Sequence, residues 1–366
     1  MVDLKHKKIF NQESREDFME ARIVGGNPNG IINFNRTPHK FFTGLYKSMR
    51  ARTWFPQQVN ISKDKINYSK LTPEEKRSYD LVLAQLIAND SIQTNQIMDS
   101  FNRYITSPVV NACLAQQAAE EVVHSDSYAV MAEDICQDTD RIYKMHEVDE
   151  ELQIKNEAVA KMYDIIYNDY SILIIKDYDG NVTQGIEPEP ITPETMAIAA
   201  VANQILEGMV FQTGFAVMYS LENKMVGTAE MIKEIHKDED GSHIPLFFTL
   251  FKTIIDENFD GVIPESIVTK AHEMIRTVTE AEKRWAKYAS QGLLGFTDNT
   301  INAFVENRAN KVCSNLKLPK LFEQHRNDPL GNLLKERLKG GDIESRSNIF
   351  EVNATEYSKG TIENDY

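Results

Sequence analysis

The sequence predicts an all-α fold, a bundle of long helices, and two observations carry that prediction. Three segments open with a hydroxyl residue followed by proline, at Thr72-Pro73, Ser107-Pro108 and Thr192-Pro193. A hydroxyl at the N-cap accepts an orphan backbone N–H, and proline at the first helical position has no N–H to lose, so the pair starts helices. Long stretches with apolar residues at helical spacing follow each start. The second observation is that acids and histidines fall inside these apolar stripes instead of opposite them.

In chain order, residues 1–36 are polar, contain Gly25-Gly26-Asn27-Pro28-Asn29-Gly30, and read as an irregular arm on the surface. From Pro38 to Arg52, the positions Phe41, Phe42, Leu45 and Met49 mark a helix. Trp54-Phe55-Pro56 ends it, since proline disfavours helix for the residue before it. The Thr72-Pro73 helix reaches about Tyr104 on a stripe of Leu83, Leu86, Ile87 and Ile97, and Asp90 sits in that stripe. Aspartate is a poor mid-helix residue and is rarely buried alone, so Asp90 calls for a partner.

Ser107-Pro108 opens a helix to about Cys136 that no further proline or glycine interrupts. On it Glu121, His124 and Tyr128 fall at i, i+3 and i+7, on one face with Leu114 and Ala118. A helical segment from about Glu147 to Tyr170 and a glycine-containing connection from Asp177 to Glu189 come next. The Thr192-Pro193 helix runs to about Leu221 and carries Glu207, with Phe211 and Phe215 at i+4 and i+8. Another helix begins near Gly227 and bears Glu239, Asp240 and His243. Helices over about Pro264–Gln291 and Asp298–Leu316 complete a helical domain of residues 37–322, and the charged stretch 323–366 reads as a flexible tail.

Composition narrows the function. A net charge of −15 without any basic run argues against a nucleic-acid partner. The opening Met-Val-Asp-Leu-Lys-His-Lys-Lys has no apolar signal core, and no run of about 18 apolar residues occurs, so the expectation is a soluble cytoplasmic protein without a membrane span. Cys113, Cys136 and Cys313 show neither paired metal spacing nor disulfide density and read as reduced packing residues.

Taken in order, the buried-face polar residues are Asp90, the pair Glu121 and His124, Glu207, and the pair Glu239 and His243. Asp90 to Glu121 is 121 − 90 = 31 residues and Glu207 to Glu239 is 239 − 207 = 32, so the halves share order and spacing. One carboxylate from each of two helices, with an acid–histidine pair from each of two others, makes a dinuclear carboxylate site in ferritin-like bundles. Four carboxylates against two divalent ions leave the site near neutral, and hard oxygen and imidazole ligands suit iron or manganese. The expected cofactor is a dinuclear metal centre, two irons first, with two manganese ions or one of each as alternatives that the same ligands accept.

At this point the sequence resembles the radical-generating small subunit of class I ribonucleotide reductase. The matching blocks are Trp54-Phe-Pro with Leu71-Thr-Pro-Glu-Glu-Lys, Asn89-Asp90-Ser-Ile-Gln, Glu121-Val-Val-His124-Ser-Asp-Ser-Tyr128, Leu206-Glu207-Gly-Met-Val-Phe211, Lys237-Asp238-Glu239 with His243, and Glu282-Lys-Arg-Trp285. The resemblance implies a ferritin-like homodimer whose metal pair, supplied with oxygen or a flavoprotein-delivered oxidant, oxidises a tyrosine to a stable radical. That radical is lent to a separate large subunit for the reduction of ribonucleotides. It also implies that Tyr128 is the radical tyrosine, that Phe211 and Phe215 shield it, that Trp54 and Asp238 carry electron and proton away, and that Tyr357 is the tail tyrosine bridging to the large subunit.

The chain departs from the family in two places. Three residues, not two, separate Glu239 from His243, and only nine follow Tyr357. Asp240 has the usual spacing to His243, yet the lead-in Ile232 to Glu239 fits the family without a gap and so places Glu239 as ligand. Pro245 cannot donate to the Gly241 carbonyl, so a one-residue bulge over Glu239–His243 is expected. Two other readings use the same six ligands, a ferritin-like metal oxidase acting on a bound substrate and an iron-storage protein; neither needs Tyr357.

Overall fold

The computed structural model of the chain describes residues 3–167, 171–176, 180, 182–187 and 190–339. The helices are α1 (Lys40–Ala51), α2 (Ser62–Tyr68), α3 (Pro73–Gln96), α4 (Asn102–Tyr104), α5 (Pro108–Val130), α6 (Thr139–Val148), α7 (Glu150–Lys161) and α8 (Asp164–Tyr167). After a hairpin follow α9 (Pro193–Ile205), α10 (Phe211–Ser220), α11 (Val226–Asp238), α12 (Ile244–Asn258), α13 (Glu265–Ala289), α14 (Asp298–Asn315) and α15 (Pro329–Lys339). The all-α expectation holds, and the cap chemistry behind it is visible. Thr72 accepts from the Glu75 N–H at the start of α3, and Thr192 accepts from that of Thr195 at the start of α9.

Ser107 occupies the N-cap position of α5 in extended conformation, but its hydroxyl makes no cap bond. It pairs instead with His39 Nδ1 at 2.8 Å, tying α5 to the start of α1. Tertiary bonding has overridden the local cap there.

Among the described residues four π-helical turns interrupt the long helices: Ile97–Phe101 after α3, Met131–Cys136 after α5, Leu206–Val210 between α9 and α10, and Glu239–His243 between α11 and α12. The first, third and fourth insert a residue without ending the helix, so α3 with α4, α9 with α10 and α11 with α12 run on as single rods, whereas the second closes α5 at the left-handed Gln137. The last is the bulge expected from the extra residue before His243.

Residues 78–86 of α3 are buried without a break, as are residues 196–219 of the α9–α10 rod. A helix buried all round must lie inside the bundle. Around them, α5 packs on α3 and α1, α12 packs on α9, and α13 packs on α14, α9 and α7. Cys113, Cys136 and Cys313 are buried free thiols.

The structure corrects the sequence reading in four places. Helix does not run unbroken from Glu147 to Tyr170: Asp149 closes α6 and its carboxylate caps α7 by accepting from the Leu152 N–H. Beyond α8, β1 (Ser171–Lys176) and β2 (Val182–Glu187) pair antiparallel, with Ser171 opposite Glu187 and Lys176 opposite Val182. The isoleucine-rich run of β1 favours strand, and Gly180 takes a left-handed φ of 81° in the turn.

The arm of residues 1–36 is not wholly superficial. Ile23 and Val24 are fully buried, Val24 bridges Ile105, and the Thr106 N–H donates to the Ile23 carbonyl at 2.7 Å. Finally, α15 occupies part of the stretch read as tail and buries Leu330, Leu334 and Leu338, whose i, i+4, i+8 spacing gives it a docking face.

Candidate metal centre

Asp90 comes from α3, Glu121 and His124 from α5, Glu207 from the π turn after α9, and Glu239 and His243 from the two ends of the π turn after α11. All six are fully buried. In an α-helix, Glu239 and His243 would stand about 40° apart. The π turn reseats them so that Glu239 Oε2 lies 2.8 Å from His243 Nδ1. Asp240 is only half-buried and stands outside the cluster.

The geometry is that of two adjoining pockets. Glu121 sets Oε2 3.2 Å from His124 Nδ1 and Oε1 3.2 Å from His243 Nδ1. Glu239 does the same, with Oε1 3.3 Å from His124 Nδ1 and Oε2 2.8 Å from His243 Nδ1. Each of these carboxylates thus spans both imidazoles, whose ring centroids are 5.7 Å apart. Asp90 adds a carboxylate on the His124 side, with Oδ2 3.9 Å from Nδ1, and Glu207 adds one on the His243 side, with Oε1 at 3.9 Å. Asp90, Glu121 and His124 could hold one ion, and Glu121, Glu207, Glu239 and His243 another.

A pair of divalent ions fits these residues. Both oxygens of Asp90, Oε2 of Glu207 and Oε1 of Glu239 are buried without a hydrogen-bond partner. Orphaned carboxylate oxygens in a dry interior are costly unless a cation meets them. Burial and the charge of Glu121 push Asp90 well above the usual carboxylate range, and burial and Glu239 do the same to Glu207. Burial opposes the charge of Glu239 as well, but the charge of His243 beside it outweighs that and holds it well below its ordinary value. Burial likewise opposes protonation of His124, yet Asp238, Glu121 and Glu239 raise it. Each shift toward the protonated form is one that a bound cation would reverse, with release of the proton.

Outside the pocket each imidazole has a carboxylate behind it. His124 Nε2 lies 3.3 Å from Asp238 Oδ2, which accepts from the Trp54 indole N–H at 2.7 Å, and the Trp54 ring stacks on His124 with centroids 6.4 Å apart. His243 Nε2 lies 3.0 Å from Glu120 Oε2. Such outer carboxylates fix the tautomer and orientation of a ligating histidine. Tyr128 is fully buried, and its hydroxyl is raised well above the ordinary phenol range by burial and by the charge of Asp90. Phe211 and Phe215 are fully buried and stacked, with centroids 6.2 Å apart. Tyr357 lies outside the described residues.

Sequence reasoning missed Glu120, Gln93 and Gln117. Gln117 was within reach, because Gln117, Glu121, His124 and Tyr128 fall at i, i+4, i+7 and i+11 on one face of α5. Gln93 follows Asp90 by one turn on α3. Glu120 has no such signal, since it lies about 100° around α5 from Glu121.

Residues 31–329 match the family "Ribonucleotide reductase, small chain". The chain belongs to that family. It is 29% identical to the ribonucleoside-diphosphate reductase subunit beta of Treponema pallidum, across 98% of this chain and 96% of that one. It is 26% identical to the subunit of the same name from Halalkalibacterium halodurans, across 100% and 99%. The ribonucleotide reductase R2 subunit from Clostridium botulinum shares the fold of this small chain with a TM-score of 0.80, at 24% identity and 92% and 99% coverage. The dimanganese(II) NrdF of Streptococcus sanguinis shares it with a TM-score of 0.67, at 20% identity and 84% and 99% coverage. Among the described residues no helix is long and apolar enough to cross a membrane.

Proposed function

We propose that this small chain of ribonucleoside-diphosphate reductase holds two metal ions on Asp90, Glu121, His124, Glu207, Glu239 and His243, and stores a radical on Tyr128. The single observation that carries the reading is the pair of carboxylates, Glu121 and Glu239, each presenting one oxygen to each histidine. When bound, a metal pair supplies the oxidising equivalents on meeting oxygen or an oxidant delivered by a flavoprotein. Iron and manganese both suit the ligand set.

Tyr128 is the residue to be oxidised, losing one electron and its hydroxyl proton. Its burial keeps water from quenching the product, and the closed helices around Phe211 and Phe215 serve the same end. Trp54, Asp238 and His124 form a hydrogen-bonded path from the pocket toward the α1 side of the bundle, where Trp54 is 8% exposed. Along it Asp238 holds the indole proton and the imidazole proton on one oxygen. Tyr357 continues the path in the tail toward the large subunit, where nucleotides are reduced. The working form is a cytoplasmic homodimer with that subunit as partner, built from an N-terminal arm, a central helical domain and a C-terminal tail.

Metal stoichiometry tests this directly. After loading with ferrous or manganous ion and desalting, the wild-type chain retains two ions, and His243→Ala retains at most one. Retention of many ions per chain would favour storage, and retention of two by His243→Ala would remove it from the ligand set.

A further inference from the structure

The two halves of the metal pocket are not equivalent. On the His124 side neither oxygen of Asp90 has a hydrogen-bond partner. On the His243 side, Oε1 of Glu207 accepts from two side-chain amides, Gln93 Nε2 at 2.5 Å and Gln117 Nε2 at 2.9 Å, while Oε2 is unpartnered. Gln93 is itself oriented. Its Oε1 accepts from the Tyr163 hydroxyl at 3.1 Å and from Gln96 Nε2 at 3.0 Å, and Gln96 Nε2 also donates to Asn203 Oδ1 at 2.8 Å. Gln93, Gln117 and Asn203 are fully buried, Gln96 and Tyr163 nearly so.

Five neutral polar groups sealed in a core are costly unless their bonds accomplish something an apolar core would not. Here they end on one carboxylate. A primary amide can present its N–H to Glu207 only if its oxygen points away, and the phenol donor of Tyr163 enforces that sense on Gln93. Gln117 also reaches Glu121 Oε1 at 3.3 Å, but Glu121 serves both pockets, whereas Glu207 serves one.

We propose that Gln93, held in its orientation by Tyr163, is a positioning residue for the ion on the Glu207 side alone. Resting on the six-ligand reading above, it makes the two metal positions unequal by design: one carboxylate is pre-set by amides and the other, Asp90, is left to adapt. Outer-shell partners of this kind are worth about 10- to 100-fold in metal affinity.

Manganous ion titrated into metal-free protein, with free ion read by electron paramagnetic resonance, provides the test in two backgrounds. In Asp90→Ala, where the Glu207 side remains, adding Gln93→Leu raises the dissociation constant about 10- to 100-fold. In Glu207→Ala, where the Asp90 side remains, the same change leaves it unaltered within about twofold, because the carboxylate that Gln93 Nε2 bonds is gone and neither oxygen of Asp90 accepts from it. A loss of equal size in both backgrounds would assign Gln93 a general structural role and overturn the proposal, as would no loss in either. Tyr163→Phe in the otherwise native chain removes one hydroxyl only, and weakens one of the two binding steps by a smaller factor; two unchanged steps would overturn the claim that Tyr163 holds Gln93 in its orientation. A wild-type chain that binds fewer than two manganous ions would instead refute the six-ligand reading.

Discussion

Replacing Trp54 with phenylalanine separates structure from transfer in one variant. The ring stack on His124 can persist, but the N–H donated to Asp238 Oδ2 at 2.7 Å is lost. Asp238 is 4% exposed, so water does not replace the donor, and the same oxygen keeps only the 3.3 Å contact with His124 Nε2. A hydrogen bond to a charged group contributes about 1.5–3 kcal/mol. The smaller ring also leaves a partial cavity beside a side chain that is 8% exposed, adding about 1 kcal/mol. Urea unfolding of the metal-free protein should therefore show a loss of about 2.5–4 kcal/mol. Electron paramagnetic resonance should show the radical still formed, while nucleotide reduction with the large subunit stops. A stability loss below about 1 kcal/mol would mean the indole bond contributes nothing net, and full turnover would refute Trp54 as part of the path.

Further variants have definite expected outcomes. Glu239→Ala loses the metal pair or its oxidation chemistry while Asp240→Ala retains both, measured by metal content and radical yield; the reverse result would move the ligand to Asp240. A Cβ on Gly227 would sit 2.7 Å from both the Asn60 carbonyl oxygen and Ile61 Cα. Because backbone cannot step aside as a flexible side chain can, Gly227→Ala destabilises by about 1–3 kcal/mol, and a neutral unfolding curve would contradict that packing. Tyr357→Phe keeps the radical but stops nucleotide reduction, and full turnover in that variant would refute a tail relay.

Much of the bundle was legible because hydroxyl–proline starts and helical periodicity are local signals. The six clustered residues were legible for a related reason: an acid in an apolar stripe conflicts with its surroundings, and Asp90 and Glu207 announce that conflict in sequence. Long-range pairing was hidden. Nothing near Ser107 shows that His39 claims its hydroxyl, and nothing near Glu120 shows His243 behind it. The hairpin was missed although the sequence between its strands carries Asp179-Gly180, a strong hairpin dipeptide: Ser171–Lys176 follows helix closely, and its isoleucine run fits a buried helix as well as a strand. The π turn after α11 was legible only through the extra residue before His243. The turn carrying Glu207 left no such mark, since its acid has no second ligand on the same rod to reveal a changed spacing.

The central claim is that this pocket oxidises Tyr128, and one spectrum tests it most directly. Wild-type chain and Tyr128→Phe are each loaded with metal, exposed to oxidant, and measured by electron paramagnetic resonance with metal content determined on the same samples. The account predicts two ions per chain in both proteins, a tyrosyl signal in the wild type and none in the variant. An undiminished tyrosyl signal in Tyr128→Phe at full metal content would contradict it.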